Sequence, residues 1–233
     1  MIDSSEIQIS TIRCFDTNQP FSISSNVALV GNGGNILGKG YGKVIDSFDR
    51  IVRFNHAKTL NLEEDVGSRT TDLIINWHVY TGYDMKKEGY SAWDPECLQR
   101  YDDINVILVH PPGRFFINGE QIKITSQEVV HEHIKRGKVP ERLKFYIMDE
   151  KEIGAYYLQD RLSYSMPPTA GFCAICALVG RNIKPSLFGF SLPGDKWDHY
   201  FEDRPNAHSE SHSHMKEMMA IEKMGQLGSI EIH

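Results

Sequence analysis

Apolar residues gather in short runs that break off at glycine or asparagine, and this rhythm predicts a parallel sheet. Val27-Ala28-Leu29-Val30 is wholly apolar and stops at Gly31, as a strand buried on both faces does on entering a turn. Ile51-Val52-Arg53-Phe54, Asp72-Leu73-Ile74-Ile75, Asn105 to Val109 and Leu143 to Met148 read as further strands, with Ser186 to Phe190 after them and Ser229 to Ile232 as a last edge strand. Helical spacing falls between them. A short helix fits within 38–48, an amphipathic one over Ser126 to Arg136, a small and apolar one over Thr169 to Gly180, and a late one over Met215 to Met224. Alternating strands and helices predict an α/β fold, a Rossmann-like α/β/α sandwich with a mostly parallel sheet. Ligands then belong beyond the carboxyl ends of the strands. Residues 79–100 and 110–121 read as loops.

The organisation expected is an N-terminal arm over 1–24, a short strand or lead-in, and one domain over 25–233. A chain of 233 residues can bury a substantial core. Its formal net charge of −6 excludes a whole-surface basic field for nucleic acid, while leaving room for a local phosphate pocket. No apolar run reaches the roughly 18 residues of a membrane span, and the polar start MIDSSEIQIS is unlike a secretory signal. Cys14, Cys97, Cys173 and Cys176 are too few for a disulfide framework. The expectation is a reduced, cytoplasmic protein.

Chemistry concentrates in VALVGNGGNILGKGYGKVIDSFDRIVRFN. Its glycines permit positive φ and a close backbone approach to a ligand. Gly33 to Lys39 matches GxxxxGK, but Gly40 stands where a phosphate-binding loop needs Ser or Thr for magnesium. The dinucleotide pattern GxGxxG fails too, since Ile36 follows Gly31 and Gly33 at its third glycine, which counts against a nicotinamide-dependent oxidoreductase. A tight turn without any ligand remains an alternative for the glycines alone. Cys173 and Cys176 form CxxC on so apolar a helix that they read as core residues, and no second CxxC completes a zinc site. Histidines 199, 208, 212 and 214 cluster without a recognisable metal-ligand spacing.

LVGNGGNILGKGYG, DSFDRIVRFNHA and DVGSRTTD together resemble the large sialylmotif of the animal-type sialyltransferases, glycosyltransferase family 29. The small motif appears as Pro168-Thr169-Ala170-Gly171, an apolar helix and Leu187-Phe188-Gly189-Phe190. The third appears as His199-Tyr200-Phe201-Glu202, and the very small motif H-x4-E as His212 to Glu217. All stand in the family order. The resemblance implies the GT-A-like fold variant of these enzymes and an inverting, metal-independent transfer of sialic acid from CMP-sialic acid to a glycan or glycolipid acceptor hydroxyl. No cofactor is expected, the acidic charge balance argues against a nucleic-acid partner, and a lipid-linked acceptor would bring peripheral membrane contact. By resemblance Asn32, Gly33, Asn55, Thr169 and Gly171 hold the donor nucleotide, His199 faces the leaving phosphate and His212 is the catalytic base. The residues alone also allow Asn32 and Asn55 as turn amides and Thr169 as a helix cap. Glu217 is read either as orienting His212 or as capping the late helix, and Arg69 as a functional group or an internal salt-bridge partner. Two departures from the family stand out. Asn26 and the surroundings of Arg181 lack the cysteines that join the animal motifs, which fits a bacterial or viral member. Ala170 replaces a usual hydroxyl. A CMP-Kdo-dependent transferase is the runner-up, and a non-catalytic nucleotide-binding module the reading from another class.

Overall fold

The computed structural model describes residues 12–14, 26–76, 95–101, 103–109, 115–117, 120–122, 135–140, 143–147, 168–193, 195, 199–200 and 214–233. The strands are β1 (Ile12–Cys14), β2 (Val27–Val30), β3 (Arg50–Phe54), β4 (Asp72–Asn76), β5 (Asn105–Val109), β6 (Phe115–Ile117), β7 (Glu120–Ile122), β8 (Lys144–Ile147), β9 (Ser186–Phe188) and β10 (Glu231–Ile232). The α-helices are α1 (Gly42–Asp46), α2 (Glu63–Val66), α3 (Ala170–Val179) and α4 (His214–Gln226), with short 3-10 turns at Gly34–Ile36 and Pro95–Arg100. None of the described helices is long and apolar enough to cross a membrane.

The chain falls into two compact units, one of Met1–Gln19 with Ile75–Asp149 and the other of Pro20–Ile74 with Glu150–His233. In the first, β1 and β5 both pair in parallel with β8, so the expected lead-in contributes a strand. Residues 110–121, expected as loop, run instead into the antiparallel pair β6–β7, in which Ile117 faces Glu120. That register leaves Asn118-Gly119 between them, the dipeptide that suits a two-residue hairpin turn. The expected helix over 126–136 and the aromatic segment from Tyr83 to Trp93 lie largely outside the described residues.

In the second unit β2 pairs in parallel with β3 on one side and β9 on the other, β3 continues to β4 and β9 to β10. With a strand on each side, all four residues of β2 are buried, which explains the unbroken apolar run. Ala28, Val30, Ile36, Ile45, Ile51, Val66, Phe188 and Tyr200 form one core cluster, against which Tyr41, Phe48 and Leu62 pack. Burying each of the large aliphatic side chains contributes about 1.5–3 kcal/mol. At the amino ends of the strands Arg50 donates to Asp72, whose carboxylate also accepts from the Thr71 hydroxyl at 2.7 Å. This ion pair lies at the opposite end of the strands from the glycine turn and serves stability. The α/β class with parallel strands is as the apolar rhythm predicts.

Candidate active site

Three neighbouring strands of the second unit end together. Val30 of β2 sits opposite Arg53 of β3 and Phe188 of β9, so Gly31, Phe54 and Gly189 follow side by side at the carboxyl edge. The turn after β2 is stitched to the end of β9 by Gly31 N–H to Phe188 O at 2.7 Å and Gly33 N–H to Gly189 O at 2.9 Å. A Cβ on Gly31 would overlap the Gly189 carbonyl, and one on Gly33 would lie 2.8 Å from it. Both glycines are therefore required by backbone packing, before any ligand is considered.

Asn32 spans to β3, its Nδ2 donating to Phe54 O at 3.1 Å. Its Oδ1 is buried and meets no hydrogen-bond donor among the described residues, and the same holds for Asn35 Oδ1. Asn55 follows Phe54 in a left-handed conformation (φ 49) that asparagine tolerates, with its N–H on Ile74 O at 2.8 Å. His199 pairs across an antiparallel bridge with Gly33, and Tyr200 N–H donates to Asn32 O at 2.9 Å. The buried Tyr200 ring enters the core while its hydroxyl donates to Lys58 O at 2.8 Å. One tyrosine thus clamps the histidine-bearing segment to the glycine turn. Asn32, Gly33, Asn55 and His199 lie along this one strand-end edge.

Gly171 reaches the same edge through Phe190. A Cβ there would lie 2.9 Å from the Phe190 ring, which stands edge-on to Phe54 with centroids 5.9 Å apart. Asn35 Nδ2 donates to Phe190 O at 3.0 Å and to Asp195 at 3.2 Å. Neither Phe190 nor Asn35 was singled out from the sequence; the absence of a side chain at Gly171 was the available signal for the first. Thr169 caps α3, its Oγ1 accepting from Phe172 N–H at 3.1 Å. That hydroxyl also donates to Glu217 Oε2 at 2.7 Å, and Glu217 Oε1 accepts the Thr169 N–H at 2.9 Å. Neither role expected for Glu217 describes this contact, which runs from the first turn of α4 to the start of α3. His212 and His208 lie outside the described residues; His214, two residues on from His212, opens α4.

Arg69 donates to the carbonyls of Asp46 and Phe48 at the end of α1. Partial burial opposes ionisation of Asp46, but the N–H groups of Ser68 and Arg69, the Ser68 hydroxyl and the nearby Arg53 outweigh it and hold the carboxyl below 3.8. Burial pushes the Cys173 thiol well above its ordinary range, with Cys176 and the Glu217 charge adding to the effect. Cys173 and Cys176 are buried in the core, as expected, and burial disfavours the Cys173 thiolate. No group of three His, Cys, Asp or Glu able to hold a metal occurs among the described residues.

A parallel α/β unit that gathers amides and a histidine at adjoining strand ends places polar groups where open parallel sheets bind their ligands. The family model of glycosyltransferase family 29 (sialyltransferase) matches residues 16–229, and the chain belongs to that family. It is 27% identical over 190 residues to CMP-N-acetylneuraminate-beta-galactosamide-alpha-2,3-sialyltransferase 1 of Mus musculus, covering 77% of this chain and 49% of the relative. To beta-galactoside alpha-2,6-sialyltransferase 2 of Xenopus tropicalis it is 31% identical over 168 residues, covering 66% of this chain and 29% of the relative. The chain thus spans half or less of the length of these relatives. A crystal structure of a mammalian sialyltransferase in complex with Gal-beta-1-3GalNAc-ortho-nitrophenol superposes with a TM-score of 0.62 at 23% identity, covering 89% of this chain and 68% of that one, which establishes the shared fold. The comparisons lend the Kdo donor no support.

Proposed function

We propose that this chain transfers sialic acid from CMP-sialic acid to a hydroxyl of a glycan acceptor, with inversion at the anomeric carbon and without a metal ion. The observation that carries the reading is the buried Asn32 Oδ1, which meets no donor among the described residues, in a turn bridged to His199. An orphaned acceptor costs about 1–3 kcal/mol, and a nucleotide hydroxyl or amino group would satisfy it. The bond between C2 of the sugar and the phosphate oxygen breaks, and its electron pair leaves on the phosphate. The His199 imidazole stabilises that charge by donating to the phosphate. The acceptor oxygen forms the new bond to C2 from the opposite face and loses its proton to His212, whose type suits a base near neutrality. Charge stabilisation by this ring makes a divalent ion unnecessary. Family membership and the names of the relatives support the donor; the acceptor class rests on the same relatives.

The test follows CMP release from CMP-sialic acid with a galactoside acceptor, with and without excess EDTA. Acceptor-dependent release that survives chelation and falls about a hundredfold or more in His212→Ala is expected. Release in the variant at the parent rate would remove the base assignment, and loss in EDTA restored by one divalent metal would remove the metal-free reading.

A further inference from the structure

The GxxxxGK-like string ends in a feature that the donor site does not use. Gly38 N–H and Gly40 N–H both donate to the carboxylate of Asp65, to Oδ2 and Oδ1 respectively, each at 2.8 Å. Both glycines have positive φ, +73° and +67°, and a Cβ on either would meet nothing within 4 Å. Glycine is required there by backbone conformation and not by space. Alternating conformations of this kind turn successive N–H groups toward one point, which is how backbone nests bind anions. Lys39 N–H adds to the same field, and the three together hold the Asp65 carboxyl below its usual 3.8. The turn itself is exposed, so a solute can reach it.

We propose that Gly38-Lys39-Gly40 is an anion-binding nest whose resident anion is the Asp65 carboxylate, and that the nest takes a small carboxylate from solution once that side chain is removed. The near-match to a phosphate-binding loop then has a physical meaning: the string does build an anion site, and the protein fills it from within. Asp65 becomes the positioning residue for the segment joining the glycine turn to α1. The proposal is independent of the donor reading, because its readout is thermal stability without substrate.

The test melts the full chain and Asp65→Ala at neutral pH in sodium acetate and in sodium chloride of equal ionic strength. Loss of two charge-assisted bonds at a solvent-exposed site lowers the midpoint by about 4–8 °C. Acetate then restores a few degrees saturably in the variant, while the parent responds alike to both salts. A variant that melts with the parent, or that gains equally from acetate and chloride, overturns the proposal. Asp65→Asn keeps the shape and loses the charge, and covers the case in which the alanine variant does not fold. Its midpoint is expected between the two without an acetate-specific gain, and parent-like melting of this variant would also overturn the proposal. Failure of the parent to bind CMP would count against the donor reading alone.

Discussion

Glu217 and Thr169, 48 residues apart, are joined by two hydrogen bonds, from the threonine N–H and from its hydroxyl to the two carboxylate oxygens. Glu217 is 4% exposed. Because Thr169 also caps α3, one residue links the start of that helix to the first turn of α4, just beyond His212 in the chain. A negative group at a helix start is electrostatically favourable, so the carboxylate and the α3 dipole stabilise each other.

Thr169→Ala removes the cap and takes the hydroxyl partner from a buried carboxylate oxygen. Loss of a cap costs about 1 kcal/mol and loss of the hydroxyl bond to a carboxylate about 1.5–3 more, so equilibrium unfolding in urea should show a loss of about 2–4 kcal/mol. Thr169→Ser keeps both roles and should stay within about 1 kcal/mol of the parent. Glu217→Gln removes the negative charge from the start of α3 while its amide can still meet the Thr169 N–H and hydroxyl, and should lose part of this stability. If it unfolds with the parent, the charge carries no stability.

Gly31→Ala and Gly171→Ala separate two kinds of crowding. At Gly31 the added methyl meets the Gly189 backbone, which cannot retreat without opening the β2–β9 ladder. At Gly171 it meets the edge of the Phe190 ring at 2.9 Å, and a side chain can yield. Overpacking costs about 1–3 kcal/mol where it can relax, so Gly31→Ala should lie above that range and Gly171→Ala within it. Adding Phe190→Leu should recover more of the Gly171→Ala loss than of the Gly31→Ala loss, because a Cβ on Gly31 meets the Phe190 ring only at 3.1 Å and the Gly189 carbonyl more closely. A double-mutant cycle in urea measures the coupling.

What the sequence discloses follows the range of its signals. The buried strands announce themselves through local apolar runs, and Thr169 reads as a cap because capping is a local matter of side-chain type. The pair β6–β7 is harder to read, because each strand is three residues long and the aromatic and glycine content of 110–121 suits a loop. The Glu217–Thr169 link could not be read, because no periodicity spans 48 residues and a buried carboxylate looks like any surface glutamate in one dimension. Likewise the role of Gly31 and Gly33 changes once Gly189 stands beside them: residue type suggested ligand approach, and the first demand proves to be strand-end packing. His199 came to the turn through motif resemblance alone; its bridge to Gly33 depends on where the chain returns after β9.

Acid should unfold the protein through Asp46 and Asp65 among other groups. Both carboxyls are held below 3.8 in the folded state by the N–H groups they accept from. For a depressed folded pKa the unfolded chain binds the proton first, so stability rises with pH through this range. The contribution is complete above the unfolded value and disappears as pH falls through the lower folded values, in the window below about 4. Urea midpoints measured across that window should fall less steeply in Asp46→Asn, which has already lost the charge. An unchanged slope would mean that Asp46 is paired to the same extent in the unfolded chain.

Asn32 and His199 touch the same turn, yet substitution should divide their effects. The contact of His199 with Gly33 is a backbone bridge, so His199→Ala leaves it in place and removes only the imidazole. If that ring meets the charge that builds on the leaving phosphate, its loss lowers kcat by about a hundredfold with CMP affinity nearly kept, as removal of a transition-state donor does. Asn32→Ala instead deletes the unsatisfied Oδ1 and the bond to Phe54. Losing a ligand hydrogen bond of about 1–1.5 kcal/mol should weaken CMP binding about tenfold and raise KM for the donor with a smaller change in kcat. Calorimetric titration with CMP and steady-state kinetics on both variants give the comparison. The opposite division, with binding lost in His199→Ala and kcat lost in Asn32→Ala, would exchange the two roles.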